Sequence, residues 1–364
     1  MGAIIGFHLW NHFWLHFLAS SLVQERFFLK KTNQKNQQLE VHLFFIWVTY
    51  LCALGYSLAD ALWINIDETA IKYHFTKMKG YQAQAPNQKM KKHMVEKVTS
   101  RDAKSHCTLI SAIASEQESQ TQMPQVFIPN TTGRKKNWQE AKNKNIHNPT
   151  VMINLDTQGW MTIEFMLVYL DILAERVKEL GKNKVVLVMD CLAAHVSIKV
   201  LKKINRLKWK VLLIPSKLTW LLQPLDVWMF SNVKRNLYLA QVENQIKSTT
   251  GTVSFQEWST TVFGKIQTMF VNTEVRQKFE KCGFKLPTNN MPKHLLPYMP
   301  HESLGKVRKL TMAELTMYMG SRCDACYKLL FKENIPHDLA HHMIVLQSPM
   351  HRLSSKRSLS SLHV

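Results

Sequence analysis

The strongest constraint on this chain is a succession of short, β-branched apolar runs between residues 61 and 246: LWINI, CTLISAIA, QVFIP, VVLVM and KVLLIP. Runs of four to eight such residues are the length of buried strands and too short for independent helices. Between and after them the period changes. Gly159 to Leu180 carries apolar residues at helical spacing and is followed by Gly181 at the position where a helix ends. Ser197 to Leu207 is a shorter, basic helix with Ser197 as its cap, and a third helix starts near Pro224, where a missing N–H costs nothing. Three strands that can pair antiparallel, followed by strand, helix, strand and helix, give an α/β expectation. That order is the RNase H-like one, a mixed five-stranded sheet flanked by helices.

The flanks read differently. Met1 to Gln24 and Val41 to Ala59 contain no Lys, Arg, Asp or Glu, so a hydrophobic helical segment is expected over residues 1–60, with its role open. Each run approaches the length of a bilayer span. His8, Asn11, His12 and His16 compromise the first, which leaves Val41 to Ala59 as the better membrane candidate. A core strand beginning about three residues later argues for buried helices instead. Residues 61–287 are expected to form one catalytic-type domain. Residues 288–364 are expected to be a largely irregular C-terminal region with a linker, a small Cys/His element and a Ser-rich basic tail.

The charge balance narrows the partners. With 47 Lys+Arg against 26 Asp+Glu, the formal net charge is +21, the balance of a polyanion binder. Six scattered cysteines do not make a disulfide scaffold and point to a reducing compartment. The aspartates are scarce, nine in all, and four of them follow apolar runs: Asp67, Asp156, Asp190 and Asp226. Strand ends are where open α/β sheets place their sites. Asp156 precedes Thr-Gln-Gly and reads as a turn former. Asp67, Asp190 and Asp226 remain as a candidate set of oxygen ligands for Mg2+ or Mn2+, hard ions that offset the repulsion of gathered carboxylates. Two such ions can activate a nucleophile and stabilise the leaving oxygen of a phosphodiester.

The blocks WINIDETA, VVLVMDCLAAH and KVLLIPSKLTWLLQPLDVWMFSNVKRN resemble the three catalytic blocks of the DDE superfamily endonucleases, in the pogo-type transposase group of the mariner superfamily, which also holds domesticated centromere-protein-B-like chains. The matching positions are Asp67, Asp190 with His195, and Leu222, Gln223, Pro224, Leu225 and Asp226; Asp190 and Asp226 are separated by 35 residues. Gly159 to Thr162 and Lys278 to Phe284 resemble two further landmarks. The resemblance implies an RNase H-like domain that cuts or joins DNA with two metal ions held by the three aspartates, in a nuclear protein from a transposable element. A homodimer is a further expectation, and a domesticated, inactive DNA-binding chain is the alternative. Cys191 stands where the family usually has asparagine. The 66 residues before Asp67 do not read as a helix-turn-helix, so sequence-specific recognition of transposon ends is not expected.

Three smaller readings complete the set. Between Asp190 and Asp226 there is no acid, while Lys199, Lys202, Lys203, Arg206, Lys208, Lys210 and Lys217 occur; with Arg134, Lys135 and Lys136 in a presumed loop they form a candidate phosphate track. Glu68 faces the other side of its strand from Asp67 and is expected at the surface or behind the ligands. His195 is either a phosphate-orienting or a structural histidine. Cys323, Cys326, His337 and His341 are spaced as a possible Zn2+ site, with two buried thiols as the alternative.

Overall fold

The computed structural model describes residues 34–72, 106–131, 135–145, 148–155, 159–215, 217–247, 253–285, 292–298, 305–320, 323–336 and 343–344. Helix α1 (Gln34–Ala53) precedes strand β1 (Leu62–Lys72), which pairs antiparallel with β2 (His106–Ala114). After the short helix α2 (Gln117–Gln120), β3 (Gln125–Pro129) pairs antiparallel with β2. Helix α3 (Lys135–Lys144) and β4 (Val151–Ile153) follow, and β4 lies parallel to β3. Helix α4 (Ile163–Glu179) crosses back to β5 (Val185–Asp190), parallel to β1, and α5 (Ile198–Arg206) leads to β6 (Lys210–Ile214), parallel to β5. The sheet order is β4-β3-β2-β1-β5-β6. The five strands β3-β2-β1-β5-β6 have the RNase H-like arrangement. Where five strands are expected there are six, because three-residue β4 adds an edge.

The helix ends follow local chemistry. Thr162 caps α4 by accepting the Phe165 N–H at 3.1 Å, Ser197 caps α5, and Gly181 takes the left-handed φ of +65° after α4. Beyond β6, α6 (Thr219–Leu222) passes through Pro224 into a π-helical turn (Leu225–Met229) that continues as α7 (Phe230–Lys247). Helix α8 (Phe255–Asn272) begins with a capping box between Ser254 and Glu257, and α9 (Arg276–Lys281) follows.

The two faces of β1 meet different partners because its side chains alternate. The face with Trp63, Asn65 and Asp67 meets α9, α1 and the π-helical turn: the Trp63 ring stands edge-on to Phe284 at 5.3 Å, and Phe44 of α1 does the same from 5.6 Å. Gly283 makes this possible, since its φ is +86° and a Cβ there would come within 2.8 Å of the Phe45 ring. On the opposite face, α4 and α5 pack together over the apolar side of β5, and Tyr169 of α4 donates to the Pro124 carbonyl at 3.0 Å.

Helix α1 is buried at Val41 and from Leu43 to Leu51, as the strand that follows it implied, and no helix among the described residues is long and apolar enough to cross a membrane. Two expectations change. Lys135 and Lys136 sit on a helix, not a loop, because Trp138 and Ala141 anchor that turn in the core. The C-terminal region is more ordered than expected: a two-residue strand pair, β7 (Gly305–Lys306) with β8 (Met343–Ile344), accompanies α10 (Met312–Met319) and α11 (Asp324–Leu330). Tyr318 of α10 donates to the Leu213 carbonyl of β6 at 2.6 Å, and Phe331 packs on Trp47 at 4.8 Å.

Candidate carboxylate site

Parallel pairing of β1 with β5 runs from Leu62 opposite Val185 to Asn65 opposite Val188. The same register, continued by two residues, brings Asp67 beside Asp190 at the end of β5; β1 itself runs on to Lys72 along β2, so Asp67 lies mid-strand and not at the strand end its apolar run suggested. Asp226 arrives from the π-helical turn, and a residue absent from the sequence-level candidates holds it there. Asn65 is fully buried; its Nδ2 donates to the Val188 carbonyl at 3.1 Å and its Oδ1 accepts the Leu225 N–H at 2.9 Å. One side chain therefore ties β1, β5 and the Asp226 turn together, with Asp67 two residues along on the same face. The signal for it was an asparagine interrupting an apolar strand.

Asp67 is 8% exposed, and its pKa lies well above the ordinary carboxylate range. Burial is the main cause, followed by the negative charges of Asp226, Glu68 and Asp190, while the Glu68 N–H donated to Asp67 Oδ1 at 2.8 Å opposes the rise. Both other aspartates thus act on Asp67. Directly across β2, Ser111 is the register partner of Asp67, fully buried with no hydrogen-bond partner for its hydroxyl among the described residues. Gln223, equally buried and three residues before Asp226, leaves both side-chain amide atoms without a partner among them. Buried polar atoms of this kind are costly and ask for a polar occupant.

Asp190 has a different neighbour. His195, fully buried, approaches Asp190 Oδ1 through Nδ1 at 2.7 Å and Glu68 Oε1 through Nε2 at 3.1 Å. Burial pulls the His195 pKa down, but its bonds to Asp190 and Glu68 outweigh that and push it up to about 10, so the ring is an imidazolium donating to both acids at neutral pH. Burial would raise Asp190, yet the His195 bond and charge, with the Leu192 N–H at 3.0 Å, hold it below the usual range. His195 is therefore a buried clamp between two carboxylates, and Glu68 reaches inward to it instead of facing solvent. In this geometry no three His, Cys, Asp or Glu groups among the described residues converge as a metal-holding set.

The basic candidates separate into free and paired. Lys199, Lys202, Arg206, Lys208 and Lys217 are exposed, as are Lys135 and Lys136 on α3. Lys203 is paired with Asp171 of α4, and Lys210 with Glu333, so acids from elsewhere in the fold neutralise two cations of the acid-free stretch. Arg134 and Asp156 lie outside the described residues, as do His337 and His341. Cys323 and Cys326 are joined in a disulfide. A zinc ion needs them as thiolates and so competes with that bond.

An RNase H-like sheet with acids on its two adjacent central strands defines an α/β protein with a carboxylate site. The family follows from sequence: the model of the DDE superfamily endonucleases matches residues 88–271, half of the chain, and this protein belongs to that family. The match includes Asp190 and Asp226; Asp67 lies before it. Among solved structures, a Mos1 transposase paired-end complex with the left transposon end is similar at 12% identity and a TM-score of 0.38, and a pre-cleavage Mos1 transpososome at 11% and 0.38. A Mos1 mariner paired-end complex with Mn is similar at 10% and 0.34. In each case the similarity covers 70% of this chain and 63% of the Mos1 chain, less than two thirds of its length. No curated protein matches the sequence.

Proposed function

We propose that this chain is a DNA endonuclease or strand transferase of the transposase type, dependent on a divalent metal. The observation that carries the reading is the Asn65 tie, which gathers the turn of Asp226 toward the adjacent strands holding Asp67 and Asp190. The donor set fits Mg2+ or Mn2+: it is all oxygen, and the charges of its neighbours act on the buried carboxylate of Asp67. When bound, such ions would activate the attacking hydroxyl or water and stabilise the leaving oxygen of a phosphodiester. Asp67, Asp190 and Asp226 would hold them, while Asn65 and His195 act as positioning residues behind these ligands.

DNA is the proposed substrate, with the exposed cations of α5 and α3 on its phosphates. Leu222 to Asp226 supports placement in the pogo-type group. Action on DNA fits a nuclear site, and a homodimer, as in other assemblies that join two DNA ends, remains part of the proposal. A second reading has its own support: Asp190 is engaged by His195, and Cys191 replaces the family's asparagine, which fits a chain that binds DNA without cutting it.

Nicking of supercoiled plasmid with and without magnesium separates the two. Loss of one ligand removes several kcal/mol of transition-state stabilisation, so Asp67→Asn and Asp190→Asn should each lose about 10²–10³-fold. Equal rates in wild type and both variants would sink the catalytic reading, and magnesium-independent binding with no nicking would select the second.

A further inference from the structure

The π-helical turn that carries Asp226 also presents Trp228, and the cations around that indole are not accounted for by the carboxylate site. Lys278 and Lys281 of α9 both lie over its ring, with their Nζ atoms 5.4 and 5.0 Å from the centroid. The acid between them in sequence, Glu280, is engaged elsewhere, by Arg276 at 3.5 Å and Lys285 at 3.4 Å. Two ammonium groups thus converge on one aromatic face with no carboxylate partner among the described residues. An exposed cation–π contact is worth about 0.5–1 kcal/mol, too little to make such a pair electrostatically complete.

The surroundings continue the pattern. His294 stands edge-on to Trp228 at 6.2 Å, and Tyr298, in the same segment, stands edge-on to Trp220 at 5.6 Å. Burial and the neighbouring Lys281 hold the His294 pKa below its usual value, which keeps it neutral. Trp220 belongs to α6, immediately before the π-helical turn. Two aromatic pairs, one of them carrying both lysines, thus involve α6 and the π-helical turn that holds Asp226. Two ammonium groups held on one ring without a carboxylate partner among the described residues suit the phosphates of a polyanion.

We propose that Lys278 and Lys281, set on Trp228, form a phosphodiester-binding site that holds a DNA strand on the Asp226 side of the carboxylates. The site is separate from the basic face of α5 and rests on the reading that DNA is the partner. Each lysine–phosphate contact releases condensed counterions and contributes about 0.9 to the slope of log affinity against log salt on duplex DNA.

The experiment is fluorescence anisotropy of a labelled duplex of about 20 base pairs, with the full chain in EDTA, from roughly 50 to 200 mM NaCl. The double variant Lys278→Ala, Lys281→Ala should lower the slope by about 1.8, and the Lys278→Arg, Lys281→Arg pair should keep the wild-type slope. An alanine variant with an unchanged slope, or an arginine variant that loses as much as the alanine one, overturns the proposal. Because binding is read in EDTA, a wild type that binds but does not nick sinks only the catalytic reading. One that does not bind duplex DNA sinks both.

Discussion

Asp67 and Glu68 are adjacent on β1, but the alternation of the strand sends them to opposite faces and into opposite electrostatic surroundings. Glu68 meets the imidazolium of His195, which also binds Asp190, so that side is compensated by hydrogen bonds and charge. Asp67 meets Asp226, a neighbouring Asp190, an unpartnered Ser111 hydroxyl and its own burial. The compensated face keeps the strand ends together. On the other face burial and the neighbouring acids raise Asp67, a strain that a bound cation would relieve, and the contrast marks that face as the candidate metal side of the sheet.

The largest effect should come from breaking the compensated side. His195→Ala leaves two carboxylates without their shared cation, a change of the kind that costs about 3–5 kcal/mol when the group is buried. Glu68 and Asp190 keep 16% and 22% of their side chains exposed, so a loss near about 3 kcal/mol in urea unfolding is expected. A loss well below about 1 kcal/mol would mean that the clamp contributes little.

Adding the cation sharpens the other side. At 100 times its dissociation constant, Mg2+ or Mn2+ should stabilise the wild type by about 2.7 kcal/mol, read as a shift in thermal midpoint. Asp67→Asn and Asp226→Asn should show a much smaller gain. Equal gains in all three proteins would place the ion elsewhere.

Next comes the tie between the faces and the turn. Asn65→Ala leaves the buried Leu225 N–H and Val188 carbonyl short of their partner, at a cost of about 2 kcal/mol. It should also raise the magnesium concentration needed for nicking, because Asp226 loses its anchor. An unchanged magnesium dependence would show that the turn holds itself.

Most of this plan was legible in sequence where one local rule decided it. LWINI and VVLVM are apolar runs followed by aspartate and became adjacent strands, but only Asp190 ends its strand: β1 runs on through Asp67 to Lys72 because β2 pairs with it that far. Leu222 to Asp226 placed the third acid on a turn after β6. What escaped was set by distant contacts or weak patterns. Strand β4 is three residues long, too short for a period. Helix α3 is mostly charged, and only Trp138 and Ala141 reveal its buried side. The alternation of β1 correctly turned Glu68 away from Asp67, but no local pattern could show His195 waiting there. Likewise, nothing in the acid-free stretch indicated that Asp171 and Glu333 would neutralise Lys203 and Lys210.

The smallest effect is a slope that distinguishes the two faces without any metal. Asp67 has a folded pKa above its unfolded value, so as pH rises from about 4 the unfolded chain releases this proton before the native state does. Native protein then holds more protons, and stability falls with pH, by at most about 1.4 kcal/mol per unit for one group, until the folded pKa is passed. His195 is raised too, to about 10, but it is a base: its contribution is complete below pH 6.5 and is lost as pH climbs toward 10. In EDTA, Asp67→Asn should therefore remove the decline on the acidic side and leave the alkaline one, while His195→Ala should do the reverse. Urea unfolding of the two variants at half-unit pH steps reads both limbs. If Asp67→Asn leaves the acidic limb unchanged, the raised carboxyl lies elsewhere and the contrast between the two faces of β1 fails.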